Sequence, residues 1–267
     1  MALLAASNPA PAAKPVAEYA RIVAKTPGLV AWWRFEGDLK DAKGPADGQA
    51  AGGEVAFVRG PGGGKAVALA ARRFVTMGTA PHVDLPRTTV ELWFKPTFVR
   101  ASYNPCILAK RAAGDHTNTR FSIHVWGDYS CLAVWNGREV VRFTPALGEI
   151  KRGRWYYLVV TSTGRKMQMY LDGVPCVPAG GTGVFTVAKK GLPLQIASST
   201  PTGQEWLDCQ IDELAVYSRV LKPEEIAEHA DAMGWNLHAG CIAAVLDLTS
   251  GAYLCVAGPA PEERPAQ

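Results

Sequence analysis

No apolar run in this chain approaches the ~20 residues that a membrane-crossing helix requires, so membrane insertion is not expected of its 267 residues. Blocks of Lys and Arg are missing as well. The basic residues are dispersed, as in KRGR at Lys151 to Arg154, and the net charge is only +4, so nucleic acid is set aside as a partner. There is no CxxC, which argues against a zinc ribbon or a dithiol redox motif. Neither GxSxG nor HExxH occurs, and His82, His116, His124, His229 and His238 are scattered. The glycines from Gly60 to Gly64 have the wrong spacing for a phosphate loop, and neither Ser nor Thr follows Lys65. They read as a turn before a strand. No internal repeat is visible.

What is present is a succession of short alternating segments. Ala31 to Phe35, Ala66 to Ala70, Phe74 to Met77, Val90 to Lys95, Trp155 to Thr161, Met167 to Leu171, Leu192 to Ser198 and Gln210 to Tyr217 all read as strands separated by turn signals, the pattern of an antiparallel sandwich. In the meander from Cys106 to Phe143, a turn at Gly127 to Ser130 would set Trp126 opposite Cys131, His124 opposite Ala133 and Ser122 opposite Trp135. Both tryptophans then share the face turned away from the aliphatic core. Asp172-Gly173 is a two-residue hairpin turn. Val16, Tyr19, Ala20 and Val23 have helical spacing and stop at Pro27-Gly28. Pro223 with Glu224 and Glu225 opens a second helix, because proline at the first helical position loses no needed hydrogen bond and acids there oppose the dipole. The chain divides into an Ala/Pro-rich arm and short helix at 1–27, a sandwich at 28–235, and a hairpin with a Pro-rich tail at 236–267.

The six cysteines, Cys106, Cys131, Cys176, Cys209, Cys241 and Cys255, permit three disulfides in an oxidising compartment, with Cys241–Cys255 as the first pair expected across a hairpin turn. Six separate buried thiols are the alternative. The start, MALLAASNPAPAAKPVA, lacks a basic first segment and a long enough apolar stretch for a signal peptide, so the compartment stays open. The even cysteine count favours a secreted or cell-surface setting.

Four stretches carry a resemblance. DELAVYSRVLKPEEIAEH from Asp212 to His229 resembles the closing strand and helix of laminin-G-like domains in the concanavalin A-like lectin/glucanase superfamily. VAWWRFEGDLKDAKG from Val30 with GGKAVALAARRFVTMG beyond it, TTVELWFKP from Thr88, and GRWYYLVVTSTGRKMQMYLDGVPC from Gly153 resemble the same family in the same order. The resemblance implies an all-β, two-sheet antiparallel jelly-roll sandwich with short N- and C-terminal helices. It says little about function, because this sandwich serves lectins, enzymes and adhesion modules. The glucanase branch carries carboxylates in an E-x-D-x-x-E arrangement, absent from this chain. Asp212 and Glu213 are adjacent, and in a regular strand would face opposite sides.

Two candidate sites follow. The resemblance implies a structural Ca²⁺ between the first-strand loop and the closing strand, near Glu36, Asp41 and Asp212, with solvation or pairing to Arg34 or Lys40 as the alternative. Trp126, Trp135, His124, Asp128 and Tyr129 could form a sugar platform, since aromatic rings stack on pyranose faces, and Trp206 is a further exposed candidate. Trp32, Trp33, Trp93 and Trp155 fall in strand signatures, where core packing is their ordinary use. The expected function is a non-catalytic module that recognises carbohydrate or a protein surface. A structural or assembly protein, forming a homo-oligomer or larger particle, is the first alternative, and a glycan-cleaving enzyme the second.

Overall fold

The structure, a computed structural model, describes residues 15–97, 104–126, 129–145, 148–179 and 190–235, together with the backbone of 241–246 and 253–257. In chain order the elements are α1 (Pro15–Lys25), β1 (Leu29–Trp33), β2 (Gln49–Ala51), β3 (Ala56–Arg59), β4 (Lys65–Leu69), β5 (Phe74–Thr76), β6 (Thr88–Pro96), β7 (Cys106–Arg111), β8 (Thr119–Trp126) and β9 (Cys131–Trp135). There follow β10 (Val140–Thr144), β11 (Tyr156–Ser162), β12 (Met167–Leu171), β13 (Val174–Pro175), β14 (Val177–Ala179), β15 (Leu194–Ile196), β16 (Cys209–Tyr217), α2 (Pro223–Ala232), β17 (Cys241–Leu246) and β18 (Tyr253–Ala257). Two antiparallel eight-stranded sheets form a sandwich. One runs β13-β12-β11-β6-β16-β4-β3, with β1 also paired to β16, and the other runs β14-β10-β9-β8-β7-β15-β5-β2. The short edge strands β2 and β3 carry exposed or half-buried residues, so they lack the periodic apolar signal that marked the others.

Strands β1, β6, β11 and β16 of the first sheet are buried on both faces. Ala31 and Trp33 of β1, Val90, Leu92 and Phe94 of β6, and Leu214 and Val216 of β16 point between the sheets. Trp32, Trp93, Tyr157 and Tyr217 point the other way, under α1 and α2. Both helices begin at proline. In α2 the Glu225 side chain reaches back to accept the Lys222 N–H at 2.8 Å, satisfying a first-turn donor. Trp93 is stacked on Tyr157 at 4.8 Å and meets Tyr19 and Trp235 edge-on. The Asp172-Gly173 turn has φ of 52° and 75° and joins Leu171 to its partner Val174, the two-residue geometry expected.

Cys106, Cys131, Cys176 and Cys209 are buried and none of the four is in a disulfide, which overturns a three-disulfide framework, and burial pushes the Cys176 thiol up to about 12. The side chains of Cys241 and Cys255 lie outside the described residues. Along the ladder Cys241 faces Ala257 and Cys255 faces Ala244. The arm before Pro15 and the tail after Ala257 also lie outside the described residues. Among the described residues no helix is long and apolar enough to cross a membrane.

One buried carboxylate ties the helix layer to the sheet. Glu91 accepts hydrogen bonds from Tyr19 of α1 at 3.1 Å, Tyr157 of β11 at 2.6 Å, Tyr217 of β16 at 2.7 Å and His229 Nδ1 of α2 at 2.9 Å. His229 Nε2 lies 3.0 Å from the Thr26 hydroxyl. Burial alone would raise the Glu91 pKa, but the His229 charge and the His229, Tyr157 and Tyr217 hydrogen bonds outweigh it and hold the group below 4.5. For His229 burial works downward, and Glu91, helped by Glu228 and Glu225, carries the pKa above 6.5. Stability from the lowered carboxylate is present above its unfolded pKa and lost on acidification. Stability from the raised imidazole is present below its unfolded pKa and lost as pH rises through the folded one. The pair therefore contributes fully between about pH 4.5 and 6.5, a window set by those reference values. Thermal melts across pH 4–9 should show this maximum, and His229→Gln should flatten its alkaline side. Glu91→Ala, which strands three tyrosine hydroxyls and a buried imidazole, should cost about 3 kcal/mol or more in denaturant titration.

Candidate functional site

Strand β16 cannot pair with one neighbour along its whole edge. Cys209 to Ile211 lie against β4, and Leu214 to Tyr217 lie against β1. At the handover the register with β6 slips between Asp212 and Ala215, and Glu213 takes φ 50°, the left-handed region that a non-glycine residue enters only under constraint. This bulge corrects the expectation that Asp212 and Glu213 face opposite sides, because its rotation breaks the alternation of a regular strand. Carboxylate oxygens of Glu36, Asp212 and Glu213 all lie within 4.8 Å of one another. Glu36 arrives because the chain leaves β1 through Phe35, itself at φ 56°.

The cluster carries more negative charge than its partners offset. Glu213 accepts from Arg34 Nη2 at 3.2 Å and from the Trp32 indole at 2.6 Å. Asp212 Oδ1 accepts the Glu213 N–H at 2.9 Å, and Glu36 Oε2 the Lys65 N–H at 3.1 Å. Asp212 Oδ2 and Glu36 Oε1 are buried without a partner among the described residues. Burial, then the charges of Glu213 and Glu36, push the Asp212 carboxyl well above its usual range. Burial carries Glu213 up to about 8 against the pull of Arg34 and Trp32. The glycine turn lies directly over these oxygens: a Cβ on Gly60 would stand 2.7 Å from Asp212 Oδ2, and one on Gly64 would collide with Glu36 Oε1. Buried, orphaned carboxylate oxygens beneath a backbone loop fit a hard cation that takes oxygen ligands. Asp41 is used otherwise. Its carboxylate accepts the backbone N–H groups of Trp32, Lys43, Gly44 and Ala46 and faces His82 at 3.4 Å, so it shapes the loop, and the acid gathered with Glu36 and Asp212 is Glu213.

The tryptophan face forms in the expected register: Ser122 opposite Trp135, His124 opposite Ala133, Trp126 opposite Cys131. Trp126 and Trp135 are both half-buried on one outer face of the second sheet. His124 is not on open surface: it is 3% exposed, hydrogen-bonded to Ser122 and, at 2.9 Å, to the Asn104 carbonyl. Tyr129 is buried too, its N–H bonded to Trp126 O at 3.0 Å. Asp128 lies outside the described residues. Trp206 stands apart, half-buried beneath the Arg72 guanidinium at 4.4 Å. A separate shallow groove on the first sheet is lined by Thr161, Thr163, Lys166, Gln168 and Tyr170, and periodicity gave no sign of it.

A family model of the concanavalin A-like lectin/glucanases superfamily matches residues 62–227. No curated protein matches the chain in sequence. Among solved structures, domain 4 of the extracellular arabinanase AbnA of Geobacillus stearothermophilus, in complex with arabinotriose, superposes with TM-score 0.60 at 18% identity, over 76% of this chain and 98% of that one. A mutant Trypanosoma rangeli sialidase with trans-sialidase activity gives TM-score 0.60 at 14% identity, over 82% of this chain and only 38% of that one. Botulinum neurotoxin type C, whose cell entry depends on two ganglioside molecules, gives TM-score 0.56 at 12% identity, over 80% and 52%. At these identities the likeness is one of fold.

The carboxylate cluster makes an unusual prediction of sign. In chelator-treated protein, Asp212→Asn relieves repulsion between buried charges and should raise the melting temperature by a few degrees, about 1 kcal/mol. Gly60→Ala should lower it, since the added methyl has nowhere to go.

Proposed function

The chain belongs to the concanavalin A-like lectin/glucanases superfamily, and from that premise we propose that it is a non-catalytic module that binds carbohydrate and is held in shape by a structural calcium ion. The observation that carries the reading is the pair Trp126 and Trp135, partly open on one outer sheet face where aliphatic packing does not require them. Sugar rings present apolar C–H faces that stack on such side chains. The arabinotriose on the arabinanase domain and the gangliosides of the neurotoxin lend support, as ligands of proteins sharing the fold. Glu36 and Asp212 lie beneath the Gly60–Gly64 turn, and Asp212 and Glu213 are buried, which favours charge compensation over acid–base work. In this reading calcium bridges the first-strand loop, the glycine turn and β16, and supplies no chemistry.

Glycan-array binding should disappear in Trp126→Ala/Trp135→Ala and persist in Tyr170→Ala, which tests the separate groove. The reverse result would move the site to the first sheet. A silent array together with large particles in light scattering would favour the assembly role. Calcium should raise the melting temperature of metal-free wild type and leave Asp212→Asn unmoved; no shift in wild type removes the ion from the account.

A further inference from the structure

The tryptophan face also carries an arginine that no carboxylate pairs with among the described residues. Arg142 of β10 is exposed, and its guanidinium lies 5.3 Å from the centroid of the Trp126 ring on β8. To reach it, the side chain crosses β9 at Ala133, its register partner, and Cys131, both small and buried. The arginines at Trp32 and Tyr156 have acids beside them: Arg34 pairs with Glu213 at 3.2 Å and Arg154 with Asp172 at 2.9 Å. Arg142 has no ion pair among the described residues, although Glu139 is only three residues away in the chain. Among the described residues, the group facing its charge is the indole.

The register sets the order along the face. Trp135 lies level with Val140, Arg142 level with Ala133, and Trp126 level with Cys131. Successive levels are two residues apart, so the row Trp135, Arg142, Trp126 spans ~14 Å along the strands at the usual rise, room for a short oligosaccharide. A neutral sugar would use the two rings and leave the cation idle. The ring instead holds the planar fork ready, so less side-chain freedom is lost when a carboxylate docks. Arg–carboxylate pairing is bidentate and directional.

We propose that this face selects an acidic oligosaccharide, a hexuronic-acid glycan whose carboxylate pairs with Arg142 while its rings rest on Trp126 and Trp135. The proposal rests on the platform reading above and adds the charge of the ligand. Arg72 over Trp206 repeats the arginine–tryptophan pair at 4.4 Å but has no second tryptophan in register, and so provides an internal control.

The test is calorimetric titration of the full chain with a panel of hexuronic-acid oligosaccharides, each beside its methyl ester, which keeps the ring and removes the charge. Wild type should prefer the acid at least tenfold, about 1.4 kcal/mol, with the preference shrinking as salt is added. Arg142→Gln should bring acid and ester to the same affinity, Trp126→Ala should weaken both, and Arg72→Gln should change neither. Equal binding of acid and ester by wild type, or a preference that survives Arg142→Gln, overturns the acidic ligand while leaving the platform standing. If neutral and acidic glycans alike fail to bind across the array, the platform itself falls, and this inference with it.

Discussion

The structure turns on the bulge in β16. A strand that pairs with β6 on one side must hand its other edge from β4 to β1, and the handover cannot keep the two-residue alternation. The bulge absorbs the mismatch at Asp212-Glu213, turning an acid into the left-handed region and gathering it with Glu36. Burying like charges is expensive unless something neutralises them, and Arg34 answers only part of the charge. The shape of the loops around β1 and β4 therefore follows from an electrostatic problem placed at the centre of the first sheet.

The opposite solution appears a few residues away. Glu91 is as deeply buried as Asp212, yet three tyrosine hydroxyls and His229 satisfy it, and its carboxyl is held ionised where that of Asp212 is pushed toward protonation. The difference is supply of donors, since both are removed from water. Because the donors of Glu91 come from α1, α2, β11 and β16, the same contact that pays for its burial also fixes the helix layer to the sheet. That layer closes one side of the sandwich, and on the outer face of the second sheet Trp126 and Trp135 stay partly open.

On that face composition and position divide the work. Trp32, Trp33, Trp93 and Trp155 are all buried, as ordinary core packing requires. Trp126 ends β8 and Trp135 ends β9, and the arginine level with the residue between them gives the surface a sign. His124, one level in from Trp126, is closed off by the segment at Asn104, so neighbouring positions of one strand face serve different ends.

The sandwich, its two helices, the hairpin register of the tryptophans and the turn at Asp172-Gly173 were all legible in the chain, because alternation, proline position and turn chemistry are local and each is set within a few residues. The acidic cluster was legible only in part. Glu36 and Asp212 were named together, whereas Glu213 was set on the opposite side and Asp41 was grouped with them although its carboxylate accepts backbone N–H groups of its own loop. The one available sign was the run of glycines from Gly60 to Gly64, which makes sense only once carboxylates lie beneath it. The sequence alone determined which segments alternate and therefore which faces exist; the tertiary structure decided where alternation fails and which loop closes over which strand. Those outcomes depend on pairing between residues far apart in the chain, and no local pattern records them.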